Sequence, residues 1–344
     1  MSDRVTLRDV AREAGVHTST ASRALNAQTR SVVNPQTVDR VLRVARRLGY
    51  SPNPLARGLR TNRTLTVGIV IPDIENPLFG PIIAGAESAL GDEGYSLLIA
   101  DANRADPTSE AAVVNALIER RVDGLIMATA LRNDATAQSL AQRGIPTVLV
   151  NRTANDVALP SIVGDDHAGI GLAVEHLVGL GHRSIGHVAG PRNISTGMSR
   201  YQAFLSWMQS LDLEVGPDGV EEAEWFQVEP GYEAAGALFD RRPDLTAIVA
   251  ANDLIALGAY RAVRERGMEV GVDISITGYN DMPLLDLMQP PLTSVKVPYR
   301  QMGSEAAAML LRVLTEEGGR ADRAVSVRLV PTLSVRDSTL PPTA

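Results

Sequence analysis

The first fifty residues repeat their apolar positions at helical spacing. In VTLRDVAREAGV, apolar residues recur at i, i+3, i+4 and i+7 from Leu7 to Ala14. A later apolar stripe begins at Pro35, a residue favoured in a first helical turn, and ends at Gly49, a residue favoured after a last turn. The pattern predicts an all-α head over residues 1–50.

Between these two helices, HTSTASRALN predicts a second short helix that follows a turn at Gly15. Ala21 and Ala24 face inward, and the outward face carries small polar side chains and Arg23. A helix face with small polar side chains can enter the major groove, where an arginine can donate two hydrogen bonds to a guanine. The pattern indicates a helix-turn-helix, and a three-helix bundle that binds protein or nothing is the alternative.

After residue 63, short apolar runs alternate with helical patterns in two series. The first series has LTVGIVI, YSLLIA, DGLIMA and TVLV, and the second has SIVG, SIGHVAG, LTAIVAA and ISITG. Alternating strands and helices are typical of parallel sheets with helices on both faces. Two series predict two Rossmann-like lobes, the second beginning at SIVG.

Polar and aromatic residues follow the ends of these apolar runs. Ligands of open α/β sheets bind at the carboxyl ends of strands, so these residues predict one polar cleft. Asn and Asp also occur at such ends as helix caps, which is the better explanation for Asp253 and Asp281.

Charge is distributed unevenly along the chain. Residues 1–63 carry a net charge of +8, and the remaining residues carry -15. A basic head on an acidic body favours a polyanionic partner for the head. The alternative is that the distribution of surface charge is arbitrary and has no functional meaning.

Composition excludes several classes of chemistry. The chain has no cysteine, so it has no disulfide, thiolate metal site or cysteine nucleophile. Neither HExxH, GxSxG nor GxxxxGK[ST] occurs, and we expect no metal, no cofactor and no enzymatic activity. The N-terminal stretch lacks the apolar run of a secretory signal, and no stretch is apolar enough to span a bilayer, so we expect a cytoplasmic protein.

The quoted head and the segment LGYSPNPLARGLRTNRT resemble the LacI/GalR family of transcriptional regulators, in the order and spacing of that family. The resemblance continues through PDIENPLFGPIIAGAE, LGHRSIGHVAGP and PPLTSVKVPYRQMG, and the body is also similar to type I periplasmic sugar-binding proteins. It implies a DNA-binding domain at 1–50, a hinge helix at 51–63 and an effector-binding and dimerisation domain at 64–344.

The resemblance implies that the head binds double-stranded operator DNA. Leu59 of the hinge would wedge between base pairs in the minor groove. His17 departs from the family, which usually has serine there, and this predicts a weaker helix cap. The implied DNA-binding residues are His17, Thr18, Ser19, Thr20, Ser22, Arg23, Asn26, Asn53, Ala56, Arg57, Leu59 and Arg60.

The resemblance also implies a small-molecule effector between the lobes and a homodimer, or a tetramer, on a near-palindromic operator. Asp165, where the chain crosses between lobes, would sense closure. The implied effector contacts are Leu78, Phe79, Asn151, Arg152, Thr196, Arg200, Phe226, Asn252 and Asn280.

Three positions depart from the sugar binders of the superfamily. Asn151 and Asn280 stand where aspartates are common, and Val297 stands where a polar residue is common. Loss of two carboxylates predicts uncompensated positive charge on Arg152 and Arg200. It therefore predicts an effector that bears a carboxylate or phosphate, such as a sugar acid or other organic acid. A neutral sugar held by amides is the competing hypothesis.

Two other functions remain open on the residues alone. The body would suit a solute-binding protein of a transporter, although the basic head argues against it, and an α/β enzyme lacks a recognisable nucleophile or phosphate loop. The sequence leaves open whether the effector releases the DNA or tightens the complex.

Overall fold

The computed structural model describes residues 5–26, 29–50, 63–102, 109–315 and 325–343. The chain divides into two compact units, Met1–Thr64 and Leu65–Ala344. Within the described ranges, no helix is both long and apolar enough to cross a membrane.

The first unit contains the three helices expected from the sequence. They are α1 (Leu7–Glu13), α2 (Thr18–Leu25) and α3 (Pro35–Leu48). Thr6 and Asp9 form a reciprocal capping box at the start of α1, and Gly49 ends α3 in the left-handed conformation. The turn before α2 has Gly15 at φ +64°, a conformation that favours glycine.

Small side chains let these three helices pack closely. Ala21 and Ala24 of α2 are fully buried against Val10 of α1 and Val41 of α3. Val44 of α3 also belongs to this core. With one face of α2 filled by alanines, its opposite face is left to solvent.

In the part of the second unit that the structure describes, there are twelve strands. They are β1 (Thr66–Ile71), β2 (Ser96–Asp101), β3 (Gly124–Met127), β4 (Thr147–Val150), β5 (Ser161–Gly164), β6 (Ile185–Ala189), β7 (Val220–Glu222), β8 (Ala247–Ala250), β9 (Ser275–Asn280), β10 (Thr293–Lys296), β11 (Ser326–Leu329) and β12 (Thr332–Ser334).

Helices alternate with these strands. They are α4 (Phe79–Asp92), α5 (Ser109–Glu119), α6 (Ala135–Gln142), α7 (Asp166–Gly179), α8 (Ser195–Ser210), α9 (Val228–Arg241), α10 (Asp253–Glu265) and α11 (Tyr299–Thr315). The alternation confirms the expected two-lobed α/β body.

The strands form two six-stranded sheets. The first has the order β11-β5-β4-β3-β1-β2 and is parallel throughout, and the second has the order β12-β10-β9-β8-β6-β7. Among the described strands of the second sheet, only β12 runs antiparallel. The expectation that SIVG starts the second lobe was wrong: this segment is β5 and pairs with β4 and β11.

Both sheets are covered on both faces, which explains their continuous apolar runs. Along β1, Val67 and Ile69 point into one apolar cluster, whereas Val70 points into another. Along β8, Val249 joins the first of these clusters, whereas Ile248 faces a third. The first cluster therefore contains residues of both lobes.

The described chain passes between the two sheets three times. It crosses from β5 to α7, which packs on the second sheet, and it returns from β10 to α11, which packs on the first. It crosses again between β11 and β12. Residues beside these crossings, such as Asp166 and Tyr299, can contact both lobes.

Candidate DNA-binding helix and effector cleft

The outward face of α2 has the composition expected of a recognition helix. His17, Ser19 and Arg23 are exposed, and the Arg23 guanidinium has no hydrogen bond or ion pair with another described residue. The other expected contacts of this face are partly exposed: Thr18, Thr20, Ser22 and Asn26.

Other arginines of the head hold the helices together. Arg30 donates to the Ala24 carbonyl at 3.1 Å, and Arg40 donates to the Ala14 carbonyl at 3.0 Å. These contacts fix both ends of the α2 region. Unlike Arg30 and Arg40, Arg23 makes no side-chain contact of this kind with a described residue, and its charge is available to a partner.

His17 caps α2 although it departs from the family pattern. Its Nδ1 accepts the Ser19 backbone N–H at 3.3 Å and lies 2.8 Å from the Ser19 hydroxyl. The imidazole thus takes the place of the usual cap oxygen. The remaining expected DNA contacts, Asn53, Ala56, Arg57, Leu59 and Arg60, lie outside the described residues.

A cleft of about 280 Å³ lies between parts of both lobes. The first lobe contributes residues after β4 and on β5 and β11, and the second contributes the first turns of α7 and α8. The lining residues are Arg132, Asn151, Thr153, Asn155, Val163, Gly164, Asp165, Asp166, His167, Ser195, Thr196, Met198, Ser199, Gln202, Ser326 and Arg328.

Arg200 is held beside this cleft by a buried network. Its Nε donates to Asp166 at 2.9 Å and its Nη1 to the Ala251 carbonyl at 2.8 Å, while its guanidinium carbon lies 3.7 Å from the centre of the Tyr279 ring. Burial opposes the charged form, but Asp166, Tyr279 and Tyr299 together outweigh it, and the pKa of Arg200 is raised. The side chain is a fixed cation.

The predicted uncompensated positive charge was wrong. Arg200 is paired with Asp166, whose side chain is 11% exposed. Burial raises the pKa of the Glu110 carboxyl, and the charge of Arg152 acts on the same carboxyl in the opposite direction. Because both arginines have carboxyl groups beside them, they give no reason to expect an acidic effector.

The asparagines use their oxygens within the protein. Asn252 caps α10 by accepting the Ile255 N–H at 2.8 Å, and Asn280 accepts the Tyr299 hydroxyl at 2.6 Å. Their amide nitrogens are thus the groups left to a ligand. The sequence had assigned the capping role to Asp253, which is instead fully buried and accepts from Ser294 and Met282.

The apolar members of the predicted site are divided between the lobes. Leu78 and Phe79 are buried in the cluster that also contains Tyr279 and Tyr299. Phe226 is half-buried in the second lobe, and its ring centre is 5.9 Å from the Arg200 guanidinium carbon. Of the nine predicted contacts, only Asn151 and Thr196 line the 280 Å³ cleft.

The sequence missed several residues of the cleft. Asp166 pairs with a residue 34 positions away, and no pattern along the chain links the two. Arg328 lies on β11, a four-residue strand whose burial is low and whose apolar pattern is correspondingly weak. Ser199 follows Thr196 by less than one helical turn, so helical periodicity could have identified it.

Two family models match the chain. Residues 6–53 match "Bacterial regulatory proteins, lacI family", and residues 174–339 match "Periplasmic binding protein-like domain". The repressor PurR of Haemophilus influenzae (strain PittEE) is 33% identical over 97% of this chain and 98% of its own length. The regulator MalR of Streptomyces coelicolor is 36% identical over 97% of this chain and 96% of its own.

Solved structures agree with these matches. A Lac repressor dimer bound to operator and the anti-inducer ONPF has a TM-score of 0.85 at 30% identity, over 98% of this chain and all of that chain. A CelR–cellobiose complex has a TM-score of 0.74 at 30% identity, over 97% of this chain and all of that chain. From its helix-turn-helix head to its two-lobed body, the chain belongs to the LacI family of DNA-binding transcriptional regulators.

Proposed function

We propose that this regulator is an effector-switched repressor whose operator affinity depends on a small polar molecule bound between the lobes. The observation that carries this proposal is the cleft, which is lined by hydroxyl, amide and charged groups from both sheets. A ligand that contacts both lobes binds one relative arrangement of them more tightly than another, and so shifts their equilibrium.

On the DNA side, a homodimer would place two α2 helices in the major groove of a near-palindromic operator. Arg23 would donate two hydrogen bonds to a guanine, and Thr18 and Ser19 would contact bases beside it. The residues near phosphates would be His17, Thr20, Ser22 and Asn26. Two observations support this assignment: the lacI-family model matches residues 6–53, and the Arg23 guanidinium has no hydrogen bond or ion pair with another described residue.

On the effector side, the ligand would lie against Asn151, Thr196 and the Arg200 network. The amide nitrogens of Asn252 and Asn280 would donate to it, with Leu78, Phe79, Arg152 and Phe226 around them. The CelR structure is a cellobiose complex, and this likeness supports a carbohydrate-like ligand. Sugars, sugar acids and other organic acids form the panel to be screened.

The test is operator binding in the presence of that panel. An operator is first selected from random duplexes with the full-length protein, and binding is then followed by fluorescence anisotropy with each compound. We expect at least one compound to change the affinity about tenfold, a coupling free energy of ordinary size for such switches. The Arg23→Ala variant should lose sequence preference but keep the ligand response in thermal unfolding. If no compound alters operator affinity, effector switching is refuted.

A further inference from the structure

The outer part of the cleft is formed by charged residues of the first lobe. Arg328 of β11 is exposed, and its guanidinium has no hydrogen bond or ion pair with another described residue. Arg132 also lines the cleft, and its Nη1 donates to the Arg192 carbonyl at 3.3 Å. Both cations face the same space as the start of α8.

The N-terminus of α8 opens into this cleft without a side-chain cap. Ile194 is at the N-cap position and cannot accept a hydrogen bond from the first turn. Uncapped N–H groups and the helix dipole make such an end attractive to anions. Ser195, Thr196 and Ser199 of this helix all line the cleft.

Two buried polar side chains of the cleft have no partner within the described residues. The Asn151 side chain comes from the end of β4, and the residue is only 8% exposed. Thr196 is 6% exposed and lies at the start of α8. Both side chains line the cleft, so each can form a hydrogen bond with an oxygen or nitrogen of a bound ligand.

The charge balance of the cleft is positive. Asp166 is neutralised by Arg200 and also accepts from Ser199 at 2.7 Å. Asp165 is the other acidic residue of the lining, and it caps α7 by accepting the Ala168 N–H at 3.0 Å. Arg132 and Arg328 together outnumber it, and two helix N-termini add to the positive potential.

We propose that the effector carries an anionic substituent, a carboxylate or a phosphate, and that this group binds between Arg328 and the first turn of α8. Its oxygens accept from α8 N–H groups, the Thr196 hydroxyl, the Asn151 amide and the Arg328 guanidinium. Charge-assisted bonds of this kind are stronger than neutral ones. The inference rests on the proposed effector site. It names the ligand class through Arg328, which the family resemblance did not assign, together with Asn151 and Thr196, which it did.

The test uses the full-length protein and small anions as probes. Thermal unfolding is followed while inorganic phosphate or D-gluconate replaces chloride at constant ionic strength, with D-glucose as the uncharged comparison. We expect at least one of the two anions to raise the Tm in a saturable manner, and D-glucose to act more weakly. The anion that responds identifies the substituent.

Three variants locate the effect. Arg328→Gln should lower, by about tenfold, the affinity for the anion that raises the Tm, because one hydrogen bond to a charged group is lost. Asn151→Asp should abolish the response by placing a carboxylate in the cleft. Arg120→Gln, an exposed arginine outside the cleft, should leave the response unchanged. All three should unfold at the temperature of the unmodified protein when no anion is added.

Two results would overturn the inference: no stabilisation of the unmodified protein beyond that in chloride, or an undiminished response in Arg328→Gln. An equal loss in Arg120→Gln would show unspecific binding and would also overturn it. The proposed function fails separately, when no compound alters operator affinity. If the compounds that alter operator affinity are all uncharged, the proposed function stands and only the inference of an anionic substituent is refuted.

Discussion

Asp253 is a buried carboxyl group whose ionisation opposes folding. It is fully buried at the start of α10, where Ser294 donates to it at 2.5 Å and the Met282 N–H at 2.9 Å. Burial raises its pKa to about 7, against an ordinary value of 3.8. Near neutral pH, the folded protein therefore holds a proton that the unfolded chain has already released.

This proton predicts a pH dependence of stability. The contribution of Asp253 is complete below about pH 4 and is lost as the pH rises through about 7, because in that range the unfolded chain ionises this carboxyl while the folded state keeps the proton. We expect the free energy of unfolding to fall by about 2–3 kcal/mol relative to Asp253→Asn between pH 5 and 8. Urea unfolding at both pH values measures the difference.

The exposed Asp92→Asn substitution is the matched control for this experiment, since it removes a carboxylate without touching a buried site. Its stability should follow the unmodified protein at both pH values. Parallel pH profiles of Asp253→Asn and the unmodified protein would contradict the assignment.

Residue types at strand ends could be read from the sequence, but their partners could not. Asn151 and Thr196 were predicted and do line the cleft. Arg200 was predicted as an unpaired charge, and its pairing with Asp166 depends on how α7 and α8 pack, which no local pattern records. Charge compensation depends on the three-dimensional arrangement. The prediction of an unpaired charge on Arg200 was wrong for this reason.

Among the elements, α4 and α11 approach each other through glycines. A Cβ at Gly303 would collide with the Ile82 carbonyl, and one at Gly85 would collide with the Arg300 carbonyl. Because backbone atoms cannot rotate away as side chains can, the two helices would have to separate. Their packing supports the first lobe, against whose strands α11 lies.

We expect Gly303→Ala to lower the free energy of unfolding by about 1–3 kcal/mol, the usual cost of overpacking. Gly91→Ala is the control, because a Cβ there meets open space in α4 and better helix propensity should add up to about 1 kcal/mol. Urea titration distinguishes the two signs. Stabilisation by Gly303→Ala would show that the helices can move apart at no cost.

The segment 51–63 remains an element predicted from sequence. If it is a hinge helix that forms on DNA, Leu59→Ala should weaken operator binding strongly, because the wedge between base pairs is lost, and should leave the affinity for the effector unchanged. Anisotropy with operator and thermal shift with the effector measure the two quantities. Equal losses in both, or in neither, would refute the wedge.

Most elements follow from periodicity, and the misassigned one shows its limit. The helices of the head and eight strands of the body were predicted close to their observed bounds. The strand SIVG was assigned to the wrong lobe because strand membership depends on pairing with the distant β11. Periodicity gives an element its type, and the pairing partner decides its sheet.

For the whole molecule, the charge division makes DNA binding sensitive to salt. Residues 1–63 carry +8 while the rest carries -15, so attraction to phosphates is confined to one end. The logarithm of operator affinity should fall with the logarithm of salt concentration by about 0.9 per neutralised phosphate. We expect a steep slope, of several units, from anisotropy at increasing potassium chloride. A slope of about one or less would contradict phosphate contacts by the basic head.

The three crossings between the sheets also bear on how the chain is made. The edge strand β11 pairs with β5, and Ser326 contacts Ser161, from which it is separated by 165 positions in the chain. On the ribosome, the first lobe therefore emerges early but stays one strand short until synthesis is almost finished. Its exposed β5 edge is open to unwanted pairing for that period. A protein truncated shortly before residue 326 would lack β11, so its β5 edge would stay unpaired permanently. A deletion at the end of the chain would thus damage the lobe that is synthesised first.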